Sequence, residues 1–445
     1  MPELVSPPAS TLTPAKTFRQ RSDTFTSIWM IIAVAMAIVT LVVKSRMPQP
    51  LWTMIHLVTL GVLSNGIFQW SWFFARSLAR LSADDPRARR HNTIRILIFN
   101  AFFAALFVSM WMGWMVGTMI AATGIAAVAA WHGAEMLSVL RERLASRFVI
   151  VVRYYVCSAS FFVLAALLAS FVTATMFSPS IPEAMVAMRD RLTLAHALSG
   201  VAGWVGLAIG GTAITLGPTI LRTRMSPDAV SSGVRVLLPW CLSLLLAIAG
   251  ALLGVMPLVG AGILTLGTCA IVGIVYPYAK VLRNKGPREY SAWSFLLGLL
   301  WISVGACALG VASLFVSGPS QLRALTLMWL PIIGIAGFAQ LFQGALSYLM
   351  PVVIGGGPSI VRIGIAIIDW QFPLRLGLRN SALILELFLF FAGDSHFVHV
   401  LRMAGWLLVI STFVIDVVIY AKTGVIQARA RRARSETLSE SRKAQ

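Results

Sequence analysis

Histidine is the residue type of this sequence best suited to chemistry, and three of the six histidines lie in long apolar segments. His56 and His196 are 140 residues apart, and each stands near the start of its segment. Imidazole is the commonest protein ligand of metals. Ionisable side chains are costly inside a bilayer and are often functional there. The pair therefore indicates axial ligation of haem or binding of copper. The alternative is that each imidazole is hydrogen-bonded to a neighbouring helix.

A second candidate metal site lies near the end of an apolar segment. His396 and His399 form an HxxH pattern, which on a helical turn suits zinc or copper with Asp394 as a third ligand. The alternative is an exposed loop at the membrane surface.

Four further polar side chains fall within apolar segments and are candidates for a proton or ion path. His132 and Glu135 are three residues apart and share one face of a helix. They are a candidate proton relay or a mutually satisfied pair. Glu386 and Asp416 are the other acids in apolar segments, which either serve proton or cation passage or pair with Arg or Ser on a neighbouring helix.

The composition defines the class of protein that must position these residues. Of the 445 residues, 58% are hydrophobic and only 12% are charged, whereas a soluble domain is about one quarter charged. A soluble enzyme, a disordered chain and a secreted disulfide scaffold are therefore excluded. Apolar runs of about 20 residues cross a bilayer as helices, whereas the strands of porin-type barrels alternate in polarity. The fold class predicted is an all-α, polytopic membrane protein.

The apolar pattern predicts twelve transmembrane helices. They cover roughly residues 25–43, 51–75, 95–116, 117–139, 148–177, 192–216, 235–256, 257–279, 291–317, 325–354, 377–393 and 401–421. With both termini placed inside, the inner segments carry 30 of the 36 Lys and Arg residues. Basic residues stay on the cytoplasmic side. We therefore expect both termini in the cytoplasm. Topology accounts for the net charge of +20 without a nucleic-acid partner.

The 140-residue spacing recurs elsewhere in the chain and suggests internal repeats. The motif Gly-Pro-Thr-Ile-Leu-Arg ends at Arg222, and the similar Gly-Pro-Ser-Ile-Val-Arg ends at Arg362. The histidine position corresponds to Ala336 in the third unit. Twelve helices then form three units of four. The domains predicted are a disordered segment 1–24, a membrane domain 25–424 with repeats 25–145, 146–285 and 286–424, and a basic tail 425–445.

This pattern resembles subunit I of the haem–copper oxidases, and more closely a group of bacterial membrane proteins related to it. That group includes membrane domains associated with copper nitrite reductase or multicopper oxidase, and the nitric-oxide-related NnrS proteins are more distant. The phrases that carry the likeness are residues 56–65 (HLVTLGVLSN), 70–71 (WS), 203–207 (GWVGL), 217–225 (GPTILRTRM) and 346–351 (LSYLMP).

The resemblance implies that His56 ligates a low-spin haem b and that His196 binds copper. It further implies that the chain lies in the inner membrane of a bacterium. It also shows departures from the oxidase pattern. Gly200 stands where the oxidases have a tyrosine, the seventh span lacks a His-His pair, and the tenth span has no histidine. We therefore do not expect a standard terminal oxidase, and whether the chain is an enzyme stays open.

The function predicted is a haem- or copper-binding membrane protein on an oxidase-like scaffold. It would act in electron transport or in nitrogen-oxide or copper handling, with an extracytoplasmic copper enzyme such as nitrite reductase or multicopper oxidase as its partner. The alternatives are a transporter of an ion or small solute, which internal repeats also suit, and a cofactor-free assembly or scaffold protein.

Overall fold

Helices are the regular elements of the described part of the chain. The computed structural model describes residues 25–26, 28–36, 39, 49–82, 84–143, 149–177, 182–223, 227–284, 286–393 and 395–443. No strand occurs in these ranges, which confirms the all-α prediction.

Ten helices in the described ranges are long and apolar enough to cross a membrane. This confirms a multi-pass membrane protein in contact with lipid. We number the helices from residue 50 onward, with α10 and α11 outside that set of ten. They are α1 Pro50–Leu78, α2 Arg87–Trp111, α3 Met115–Glu142, α4 Val149–Met176, α5 Ala184–Ile220, α6 Asp228–Leu253, α7 Met256–Arg283, α8 Tyr290–Ser313, α9 Trp329–Ile354, α10 Pro358–Ile368, α11 Phe372–Phe390 and α12 His396–Lys443.

Two of the twelve predicted spans do not correspond to any of these ten helices. The span 25–43 lies partly outside the described residues, and the segment 1–24 lies wholly outside them. The span 377–393 falls largely in α11, a 19-residue helix. Three buried ionisable side chains interrupt its apolar character, namely Arg375, Arg379 and Glu386.

The chain divides into two compact units, Met1–Ile209 and Gly210–Gln445, with the boundary inside α5. Unit 1 has an aromatic core, in which the ring of Phe68 lies 5.0 Å from that of Phe99 and 5.3 Å from that of Trp204. Aliphatic residues of α9, α11 and α12 form a core cluster in unit 2: Ile332, Ala336, Ala382, Leu383 and Val409.

Glycines bring α8 and α9 of unit 2 into close contact. A Cβ atom added at Gly344 would lie 2.4 Å from the backbone nitrogen of Phe295. One added at Gly298 would lie 2.6 Å from the backbone nitrogen of Leu341. Small residues allow helix backbones to approach in this way in membrane bundles, where van der Waals packing drives association.

Several helices contain π-helical segments. Such segments are rare and frequently lie at functional sites. In unit 1, α1 has one at Leu57–Ser64 and α5 has one at Leu198–Gly206. In unit 2, α7 has one at Ile271–Val275 and α9 has one at Ile333–Ala339. The segments of α1 and α5 begin directly after His56 and two residues after His196. A third, shorter segment of unit 1 lies at Arg87–His91 in α2.

Candidate functional site

His56 of α1 and His196 of α5 lie side by side in unit 1. The centres of their imidazole rings are 6.1 Å apart, and the ring planes differ by only 14°. Both side chains are half-buried. The histidines that the sequence singled out as a pair are therefore neighbours in space, each next to a π-helical segment.

Backbone carbonyl groups hold both imidazoles by the same ring atom. His56 Nδ1 lies 2.8 Å from the carbonyl oxygen of Trp52, and His196 Nδ1 lies 2.8 Å from that of Ala165. A carbonyl oxygen only accepts, so each Nδ1 carries the hydrogen and donates it. The lone pair of each neutral ring is then on Nε2. This is the arrangement by which an outer hydrogen bond sets the tautomer and orientation of a metal-binding histidine.

The ring of Trp52 packs against the imidazole of His56. The two ring centres are 4.3 Å apart, and the planes differ by 21°. Since Trp52 precedes His56 by one helical turn, the same residue supplies the stacking ring and the carbonyl acceptor. The orientation of His56 is thus restrained at two points.

A hydrogen bond joins α1 and α5 eight residues after the histidine on each helix. The indole N–H of Trp204 donates to the hydroxyl of Ser64 at 2.8 Å, and both side chains are buried. The Ser158 hydroxyl of α4 donates to the Trp204 carbonyl at 2.6 Å. The ring of Phe162 stacks on the indole at 4.6 Å. These contacts fix Trp204, and through it the spacing of α1 and α5.

The histidine pair offers only two ligand atoms, which limits the metals that it can bind. No group of three or more His, Cys, Asp or Glu side chains suited to a metal occurs within the described ranges. Structural zinc sites take four protein ligands and catalytic ones three. The pair therefore fits a metal that needs only two protein ligands. Haem iron, with four nitrogens from the macrocycle, and two-coordinate Cu(I) meet that condition.

His396 and His399 are both exposed on the first turn of α12 in unit 2. Their proposed third ligand, Asp394, lies outside the described residues. The backbone N–H of His399 donates to the carbonyl of Ser395 at 3.0 Å, an ordinary helical contact. The structure thus places this pair at a helix terminus in the other unit from His56 and His196.

His132 and Glu135 share helix α3 but have different partners. Glu135 accepts from the buried guanidinium of Arg95 and from the Trp131 indole at 3.0 Å, and lies 2.7 Å from His91 Nδ1. His132 is fully buried, and its Nε2 lies 3.4 Å from the Ser71 hydroxyl. Arg95 was missed as a site residue, because at the end of an apolar segment it reads as a loop residue.

Asp416 of α12 lies in a buried network in unit 2. Its carboxylate pairs with the guanidinium groups of Arg375 and Arg379 and accepts from the Tyr290 hydroxyl at 2.6 Å. Arg379 also donates to Gln343 at 2.9 Å. Two buried arginines face one carboxylate, so the charge of Asp416 is fully compensated. The network ties α8, α9, α11 and α12 together.

Glu386 of α11 is also buried, with a different environment. Its Oε2 atom is 4.0 Å from Nε of Arg402, and its Oε1 atom accepts no hydrogen bond from the described residues. Gly405 of α12 makes room for the carboxylate, since a Cβ there would lie 2.4 Å from Oε1. Of the two isolated acids, Glu386 is thus the one with an unpaired oxygen.

The models of known protein families and the curated proteins give no match for this chain. The likeness to the haem–copper oxidases therefore rests on residues of the sequence alone, and what it implies for function stays a proposal.

Proposed function

We propose that the chain is a membrane-bound haem protein that transfers electrons, in which His56 and His196 would together hold one haem b. The observation that carries this proposal is the near-parallel pair of imidazoles, 6.1 Å apart, each held at Nδ1 by a carbonyl group.

The ring separation suits a single metal ion between the two histidines. A metal–nitrogen bond is about 2 Å long, and a ring nitrogen lies about 1 Å from the ring centre. Two rings whose Nε2 atoms point at one ion from opposite sides are therefore about 6 Å apart. The observed value is 6.1 Å. This favours one shared site over the division implied by the resemblance, in which His56 binds haem and His196 binds a separate copper.

Cu(I) is the second candidate, because the same two nitrogens suit linear coordination. Imidazole is an accepted ligand of copper and of iron. The two proposals predict different colours, since haem absorbs strongly in the visible region and Cu(I) does not.

The protein's own contribution is to hold the two Nε2 atoms in place. Hydrogen bonds from Nδ1 to the carbonyls of Trp52 and Ala165 make each ring a better ligand and restrict its rotation. The bond between Ser64 and Trp204 fixes α1 against α5. A haem bound here would supply one-electron redox chemistry. A site held rigidly by its surroundings changes its geometry little when the charge of the iron changes.

The three-repeat architecture also belongs to this proposal. His56 pairs with His196 and Ser64 pairs with Trp204, and both separations are 140 residues. Corresponding positions of the first two proposed repeats therefore meet in space. We infer twelve membrane helices on an oxidase-like plan with both termini in the cytoplasm of a bacterium. The histidine pair then lies near the outer side of the inner membrane, within reach of an extracytoplasmic copper enzyme.

Quantitative haem and copper analysis tests the proposal. The protein would be purified from cells supplied with both cofactors, alongside His56→Ala and the exposed-site control His399→Ala. One haem per chain, lost in His56→Ala and kept in His399→Ala, is the expected result. Copper without haem would favour the Cu(I) site. A preparation with neither would overturn the redox function and leave transport or assembly.

A further inference from the structure

We propose that unit 1 contains a binding site for one buried water molecule among Trp72 of α1, Arg95 of α2 and His132 of α3. All three side chains are at least 99% buried. Trp72 Nε1, Arg95 Nε and His132 Nδ1 each lack a hydrogen-bond partner among the described residues. A buried polar group without a partner is costly, and such groups in native proteins are generally satisfied by protein or by ordered water.

The three side chains lie close enough to share one small molecule. Arg95 Cζ is 5.1 Å from the centre of the Trp72 ring, and the rings of Trp72 and His132 are 6.3 Å apart at nearly a right angle. Gln69 stands one helical turn before Trp72, and its Oε1 atom is also buried without a partner. Residues three apart share a helix face, so Gln69 supplies a fourth group on the same side of α1.

The types of these four atoms match water. Trp72 Nε1 and Arg95 Nε can only donate, and Gln69 Oε1 can only accept. With the Ser71 hydroxyl donating to the Phe68 carbonyl at 3.5 Å, the matching tautomer of His132 donates from Nε2 to Ser71 and leaves Nδ1 as an acceptor. The site thus offers two donors and two acceptors. A water molecule accepts two hydrogen bonds and donates two, and buried waters make about three on average.

A small anion fits the same position less well. It would face two acceptor atoms, and it would need a positive charge that is free to bind it. The guanidinium of Arg95 is already paired with Glu135, which also contacts His91. Arg87, a half-buried cation at the start of α2, is paired with Asp85 and Glu142. The charges around the site are therefore compensated, which favours a neutral ligand.

A structure determined at a resolution that shows ordered water, with bromide as the only halide, tests this inference. We expect a density peak within hydrogen-bonding distance of Trp72 Nε1, Arg95 Nε and His132 Nδ1, without a bromide anomalous signal. No peak would refute the site, and a bromide signal there would show that the ligand is an anion.

Variants of the side chains around the site test its donors and acceptors. Trp72→Phe removes one donor and should weaken or abolish the peak. Trp131→Phe is the matched control, because the Trp131 indole already has Glu135 as its acceptor, and the peak should persist. If Trp72→Phe does not fold, Gln69→Leu removes an acceptor and should weaken the peak in the same way. A peak of full strength in the folded variant would contradict the assignment.

Discussion

The indole N–H of Trp204 donates to the hydroxyl of Ser64, a residue 140 positions earlier in the chain. His56 and His196 have the same separation along the chain, and the centres of their rings lie 6.1 Å apart. In two antiparallel helices, partners that lie further along one helix lie earlier along the other. Two contacts with one constant separation therefore show that these parts of α1 and α5 run parallel and in register.

Removing the Ser64 hydroxyl should destabilise the protein. Ser64→Ala leaves the buried Trp204 N–H without its acceptor, which costs about 1–3 kcal/mol. Equilibrium unfolding in mixed micelles measures this loss, and a double-mutant cycle with Trp204→Phe isolates the pair. Ser160→Ala is the control, because its exposed hydroxyl contacts only its own helix. Equal effects of the two serine variants would contradict the assigned role of the bond.

Asp416→Asn should be strongly destabilising. The change leaves Arg375 and Arg379 buried without a counter-charge, and breaking a buried ion pair costs about 3–5 kcal/mol. The free energy of unfolding measures the effect. Asp228→Asn breaks a solvent-exposed pair with Lys280 and should have a small effect, because water and salt screen such pairs. A mild phenotype for Asp416→Asn would show that the network contributes little to stability.

Two glycine substitutions in unit 2 should have opposite signs. Gly344→Ala places a methyl group 2.4 Å from the backbone nitrogen of Phe295, so α8 and α9 must separate at a cost of about 1–3 kcal/mol. Gly377→Ala on α11 meets no atom within 4 Å and should stabilise the helix by about 0.5–1 kcal/mol. Thermal unfolding of both variants provides the comparison, and a stabilised Gly344→Ala would refute the close contact.

Asp369, between α10 and α11, should make stability depend on pH. Burial raises the pKa of its carboxyl group to about 6 from an ordinary value of 3.8, although the Tyr290 N–H donates to it at 2.8 Å. Between pH 3.8 and about pH 6 the folded state binds more protons than the unfolded state, so stability falls as pH rises. Asp369→Asn keeps an acceptor and removes the titration.

Unfolding free energies of the wild type and Asp369→Asn, measured from about pH 4 to about pH 7, test this sign. The difference between the two proteins should shift in favour of the variant as pH increases and level off above the folded-state pKa. A difference that is independent of pH would mean that the carboxyl group titrates alike in both states.

The sequence predicted the helical class and paired His56 with His196, because apolar length and a repeated spacing are properties of the chain itself. It did not predict the partner of Glu135. Helical spacing pointed to His132, but packing turns Glu135 toward Arg95 on α2. For Asp416 the sequence left open ion passage or pairing with a neighbouring helix, and it did not identify Arg375 and Arg379 of α11 as the partners. Which helix faces which is decided by tertiary packing. The π-helical segments were not predicted from the sequence.

The optical spectrum of the purified protein, oxidised and then reduced, tests the central claim most directly. We expect a Soret band that shifts on reduction in the wild type and in His399→Ala. The low-spin signal should disappear in both His56→Ala and His196→Ala, because either change removes one axial ligand. A wild-type protein that stays colourless after haem supplementation, or a spectrum unchanged by both substitutions, would contradict haem ligation by this pair.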